Sequence, residues 1–140
     1  MKSSVIDTSV AVKWFSREKE TEIALRLRDF LTAGEIRIFA PELLLVELAN
    51  ALRHNPLFQA EDVTAAVLSM FDLGIEFLPS HPALLERAVE CAFRHRLTVY
   101  DGIFVALAET TNSQLLTADE KLLKQTEGDA PVFPLARFSL

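Results

Sequence analysis

Ser4-Val5-Ile6-Asp7-Thr8-Ser9 decides how this chain is read: a short β-branched run ends abruptly on a carboxylate, and two hydroxyl residues follow it. The apolar part predicts a buried strand over about Ser4 to Asp7, and the next residues, Val10 to Trp14, carry the spacing of a short helix with Ser9 as its cap. A strand that runs straight into a helix is the unit of an α/β sheet. Downstream the unit recurs. Ile23, Ala24, Leu27, Phe30 and Leu31 mark one face of a helix stopped by Gly34, and Ile36 to Ala40 alternates as a strand. Pro41 suits the first turn of a helix carrying Glu47 and Asn50, ended by Asn55-Pro56. Val63, Ala66, Val67, Met70 and Phe71 define the next helix, closed by Gly74 before a strand over Ile75 to Leu78. A helix from about Pro82 to Arg94 comes next, and Asp101 opens the one that contains Ile103 to Ala108. Ser113 to Thr117 then reads as a strand, Glu120 to Lys124 as a short helix and Val132-Phe133 as an edge strand. This alternation predicts a three-layer α/β sandwich, a mostly parallel central sheet with helices on both faces.

Composition sets the frame for function. The 140 residues are 50% hydrophobic, enough for one substantial core, so residues 1–140 are expected to form one domain without repeats or linkers. No stretch approaches the roughly 18 apolar residues of a membrane span, and no basic, apolar leader opens the chain, so no membrane association and a cytoplasmic location are expected. The lone cysteine, Cys91, has no partner for an internal disulfide and lies in a helical pattern, where it reads as a small core residue. A net charge of −6 argues against a broad basic surface for nucleic acid, but not against a nuclease, because metal ions can neutralise clustered carboxylates and bring phosphate to them.

Four acids stand where a carboxylate is costly unless used. Asp7 ends the first strand, Glu47 interrupts the apolar run Leu43 to Ala49, and Asp101 and Asp119 lie at element junctions. In an open parallel sheet, ligands bind beyond the carboxyl ends of the strands where chain order reverses. Asp7, Glu47 and Asp101 are therefore expected to converge there, with Asp119 at the margin. Asn50, one turn after Glu47, points the same way and could hold a metal-bound water. Oxygen-only donors select magnesium or manganese over zinc, and His54, His81 and His95 lack the paired spacing of a zinc site. Such a cation suits phosphodiester hydrolysis.

Each residue also has a purely structural reading. Asp7 or Asp101 could be a helix cap, Asp119 a surface turn acid, and Ser9 and Thr117 are caps or hydrogen-bond donors behind the acids, since no histidine is placed to activate them as nucleophiles. Trp14 and the phenylalanines read as core or interface. Lys13, Arg17, Arg53, Arg94, Arg96, Lys121 and Lys124 read mostly as solvated faces.

The ordered set Val5 to Ser9, Pro41 with Glu47 to Leu52, Tyr100-Asp101 with Ala106 to Ala108, and Thr117-Ala118-Asp119 resembles the PIN domain, in particular the VapC-type toxin ribonucleases. The resemblance spans almost the whole chain. It implies a Mg2+- or Mn2+-dependent endoribonuclease, commonly a homodimer, held inactive by a cognate antitoxin protein. The family's metal-binding acids fall on Asp7, Glu47, Asp101 and, with weaker involvement, Asp119; its small hydroxyl positions fall on Ser9 and Thr117. Gly102 and Phe104 depart from the pattern, since relatives often carry alanine and tyrosine there. Phosphoryl-transfer folds of the receiver or haloacid-dehalogenase type also place an aspartate after a first strand. The latter needs a second aspartate where Ser9 stands, and a receiver needs an acidic pair that is missing. A protein-binding module that keeps the fold without activity is the remaining alternative. The apolar residues Phe30, Leu31, Val63, Val67 and Phe71 exceed what one small core should need, and are expected to form a two-fold interface.

Overall fold

A computed structural model describes residues 1–140. Its centre is a sheet of five strands, β1 (Ser3–Ile6), β2 (Arg37–Pro41), β3 (Glu76–Leu78), β4 (Gln114–Thr117) and β5 (Val132–Pro134), in the order β3-β2-β1-β4-β5. Every pairing is parallel. The helices are α1 (Thr8–Ala11), α2 (Thr21–Thr32), α3 (Leu43–Arg53), α4 (Ala60–Ser69), α5 (Pro82–His95), α6 (Val99–Thr110) and α7 (Glu120–Gln125). The chain winds from β1 outward through β2 to β3, then returns to the other side of β1 for β4 and β5. Chain order therefore reverses between β1 and β4.

The sheet is covered on both faces. In β1 the consecutive residues Ser4, Val5 and Ile6 are all buried, although successive side chains of a strand point to opposite faces. α6 lies against β1, β2 and β4 and carries α5 on its outer side. Gly102 through Ala108 are buried without interruption, the burial expected of a helix that is apolar all round. At about 1.5–3 kcal/mol for each fully buried large apolar side chain, Phe104, Val105 and Leu107 make α6 one of the main contributors to the core.

Several elements differ from their sequence expectation. Pro41 closes β2, opposite Leu78, and does not open a helix. It lies two residues beyond Phe39, the last partner of β1, where its missing N–H removes no bond to that strand. Ser9 lies inside α1, whose N-cap position is Asp7, and its hydroxyl is turned to that carboxylate instead of the helix amides. Asp101 is not the opener of α6; Thr98 caps it, accepting from the Asp101 amide at 3.1 Å. Lys13 is no solvated residue. It is buried beneath the surface and its Nζ meets Glu18 at 3.3 Å.

The expected two-fold patch is also mostly accounted for within the chain. Leu31 belongs to the core, Phe30 packs on Phe138 with ring centroids 6.2 Å apart, and Val63 and Val67 are half-buried, leaving Phe71 as the exposed member. The sequence pattern did not reveal that the C-terminal residues fold back onto α2. Cys91 is buried as expected, its thiol directed to Glu109 at 3.4 Å. Trp14 is core, its indole N–H donating to the Ala24 carbonyl at 2.7 Å.

Gly102 stands where α5 and α6 approach closely. A Cβ there would lie 2.4 Å from the Ala88 carbonyl oxygen of α5. The obstacle is backbone, so α5 itself would have to move. Replacing a helical glycine with alanine gains about 1 kcal/mol of propensity, whereas overpacking costs about 1–3 kcal/mol. Gly102→Ala should therefore lower stability by up to about 2 kcal/mol, read as a lower urea midpoint at unchanged slope. An unchanged midpoint would show that α5 and α6 separate freely.

Candidate active site

The reversal of chain order between β1 and β4 leaves a crevice at the carboxyl edge of the sheet, and the acids singled out in the sequence border it. Asp7, Glu47, Asp101 and Asp119 all line one cleft of 310 Å³, with Thr8, Ser9, Asn50, Ala51 and Phe104. Asp7 follows directly on β1, and Asp119 lies two residues after β4 as the N-cap of α7. Glu47 projects from the middle of α3 and Asn50 stands one turn further on. Asp101 comes from the first turn of α6. Four separate parts of the chain thus contribute to a small volume.

Asp7 is the most constrained. It is nearly enclosed, and its two oxygens accept from Ser9 Oγ and Thr117 Oγ1, each at 2.5 Å. Those hydroxyls are themselves tied to the loop after β4. Ser9 Oγ accepts from the Ala118 amide at 2.8 Å, and Thr117 Oγ1 from the Asp119 amide at 3.0 Å. Asp119 in turn caps α7 by accepting from the amides of Lys121 and Leu122 at 3.0 and 3.1 Å. Asp119 therefore has a structural task whatever else it does. Glu47 accepts from Thr8 Oγ1 at 2.7 Å. Thr8 lines the cleft and carries no role in the sequence analysis, although the run of hydroxyls beside Asp7 was an available signal for it.

Burial and like charge push these acids the same way. Loss of water raises Asp7 to about 6; the bonds from Ser9 and Thr117 oppose the rise, and the charge of Asp119 adds to it. Glu47 is raised chiefly by burial, against the Thr8 bond and with the charge of Asp101. Asp101 is raised by burial and then by Asp119, with Lys121 and Thr98 drawing it back. Acids that raise one another in a crevice favour a cation between them. The donor chemistry, carboxylate oxygen without imidazole or thiolate, suits a hard divalent ion. In the structure no three acidic, imidazole or thiol groups already surround a common point. The carboxylates border the cleft without closing on its centre, as like charges do. The fit to a cation is therefore one of donor type and of shared cleft.

The largest cavity is elsewhere. A groove of 640 Å³ between α3 and α4, lined by Ala49, Arg53, Phe58, Gln59, Ala60, Val63 and Thr64, meets the acidic cleft at Asn50. No acidic residue lines it, whereas four border the smaller cleft.

An all-parallel sheet whose reversal point opens on a cluster of acids defines a protein of the doubly wound α/β class with a charged crevice at the edge where such sheets bind ligands. The chain belongs to the PIN domain family, whose model matches residues 4–128. It is 31% identical over 127 residues to Ribonuclease VapC1 of Mycobacterium tuberculosis, covering 87% of this chain and 90% of that protein. Its fold is similar to VapC20 of the same species, a sarcin–ricin loop cleaving toxin (TM-score 0.69, 16% identity, 86% and 93% of the two chains). It is also similar to a chain of a toxin–antitoxin complex from Klebsiella pneumoniae (TM-score 0.69, 17% identity, 98% and 99%). A third likeness is to PAE2754 of Pyrobaculum aerophilum (TM-score 0.67, 19% identity, 96% and 90%).

The burial of Asp7 has a thermodynamic consequence. Its folded value of about 6 lies above the ordinary 3.8, so between these pH values the folded chain binds more protons than the unfolded one, and stability falls as pH rises. Above about pH 6 the whole penalty applies, about 3 kcal/mol. Metal-free protein should therefore melt higher at pH 5 than at pH 7, and Asp7→Asn should raise the melting temperature at pH 7 while flattening this slope. Equal pH slopes in parent and variant, measured with a chelator present, would show that Asp7 is not the titrating group.

Proposed function

We propose that residues 1–140 form one PIN-type nuclease unit, an endoribonuclease that acts in the cytoplasm as the toxin of a toxin–antitoxin pair and is restrained by a cognate antitoxin protein. The observation that carries this reading is the meeting of Asp7, Glu47, Asp101 and Asp119 on one cleft in a PIN-domain sheet. The similarity to Ribonuclease VapC1 supports RNA as the substrate, and the likeness to chains of toxin–antitoxin complexes supports the antitoxin. No helix is long and apolar enough to cross a membrane.

Asp7, Glu47 and Asp101 would hold a divalent cation, Mg2+ or Mn2+, with Asp119 at the margin. When bound, such an ion neutralises the acids, binds a phosphodiester and lowers the pKa of a water to make it a nucleophile. The chain's own part is placement. Ser9 and Thr117 fix both oxygens of Asp7, so its carboxylate cannot rotate away from the cleft. Asp101, in the first turn of α6, faces positive partial charge from the free amides, which favours its ionised form. Asn50 offers a neutral amide at the cleft wall, able to bind a water or a phosphate oxygen.

Homodimerisation belongs to the same reading, with a different surface from the one the sequence pointed to. Leu85, Val89 and Phe93 recur at i, i+4 and i+8 along α5 and are exposed by 40%, 44% and 83%, forming an apolar stripe on one face of that helix. A closed two-fold pairing would cover it.

Purified protein should cut a mixed RNA pool with Mg2+ or Mn2+ and not with chelator. Asp101→Asn should lower that cleavage by orders of magnitude while leaving the circular dichroism spectrum unchanged; a variant that cuts as the parent does would remove Asp101 from the site. Phe93→Asp should shift the light-scattering mass of the protein from two chains toward one. A parent that scatters as one chain at micromolar concentration would overturn the dimer.

A further inference from the structure

Thr8 Oγ1 donates to Glu47 Oε1 at 2.7 Å, a bond that joins residues 39 positions apart and crosses from α1 to α3. Neither helix needs it for its own backbone. Thr8 is the first residue of α1, and its hydroxyl serves no helix amide. α1 has four residues, too few to be stable alone, so its position is set by tertiary contacts. On it two consecutive hydroxyls serve two different acids: Ser9 donates to Asp7 and Thr8 to Glu47.

Glu47 requires such a tether more than Asp7 does. Asp7 is short, nearly enclosed and held at both oxygens, whereas Glu47 has one more rotatable bond, is half-buried, and accepts a protein hydrogen bond at Oε1 alone. Its neighbour Val46 is open to solvent, so α3 lies near the surface at this turn. A glutamate free to change rotamer would spend much of its time away from Asp101, since the two charges repel.

We propose that Thr8 is the positioning residue for Glu47: by occupying Oε1 it holds the side chain over the cleft and leaves Oε2 free for a divalent cation. This rests on the reading of the cleft as a metal site. Partners that orient a ligating carboxylate are worth roughly 10- to 100-fold in metal affinity.

The test is Mn2+ binding to the full chain without RNA, by calorimetry or by the electron paramagnetic resonance signal of the free ion. Thr8→Val, which keeps the shape and removes the hydroxyl, should weaken Mn2+ binding about 10-fold. Thr8→Ser should bind as the parent does, and Thr8→Ala should match the valine variant. Metal-free melting temperatures should stay close to that of the parent. Added to Glu47→Gln, Thr8→Val should weaken binding no further, because the group it positions is already altered. In RNA cleavage the valine variant should need more Mn2+ for half-maximal rate and recover most of the rate at saturation. Parent-like Mn2+ affinity in both Thr8→Val and Thr8→Ala, or an additive loss in the Glu47→Gln background, would overturn the role of Thr8 and leave the metal site standing. A parent chain that binds no Mn2+ would overturn the metal site itself, and this role with it.

Discussion

The interaction on which the rest depends is the double hydrogen bond that holds the Asp7 carboxylate where β1 and β4 part. Placing a carboxylate at the end of the central strand costs free energy, visible in the rise of its pKa to about 6. Ser9 and Thr117 offset part of that cost, and they do so from different elements, one from the helix that follows β1 and one from the end of β4. The same two hydroxyls accept from the amides of Ala118 and Asp119. One buried acid therefore fixes the turn into α1, the loop after β4 and the start of α7. A site built this way is rigid at its base, and its mobile parts are the longer side chains above it.

The other acids are held by progressively looser means. Asp119 is occupied by two helix amides, Asp101 rides on the first turn of a wholly buried helix, and Glu47 hangs from one threonine. The core enforces the placement of Asp101. α6 is clamped between the sheet and α5, and at Gly102, the residue after Asp101, there is no room for a Cβ against the α5 backbone. The position next to one of the cleft's acids is thus set by packing between helices. Fold stability and site geometry meet at this residue.

At Asp7, Glu47 and Asp101 the charge gathered in the cleft works against the stability of the chain. Each carries a raised pKa that traces first to burial, so each destabilises the metal-free chain near neutral pH. The cluster concentrates negative charge at the edge of the sheet where ligands of this fold class bind. A cation or a bound protein that supplies positive charge to the cleft would relieve the same strain, and both would stabilise the folded chain by mass action.

The sequence alone determined the alternation of strands and helices, because period-2 and period-3.6 apolar patterns are local. It also marked the acids, because a carboxylate inside Leu43 to Ala49 or after Val5-Ile6 breaks an apolar pattern at visible cost. Boundaries that hang on a single cap or proline were less legible. Pro41 fits a strand end as well as a helix start, and whether Thr98 or Asp101 caps α6 depends on where the backbone turns helical, which is after Thr98. What only the tertiary structure decided was everything set by long-range contact. The strand order that places Asp7 beside Asp119, the fold-back of Phe138 onto Phe30, the burial of Lys13 and the Thr8–Glu47 bond all join residues whose spacing carries no periodic signal. Local pattern records which face of an element is apolar; which other element covers that face is settled only when the whole core closes.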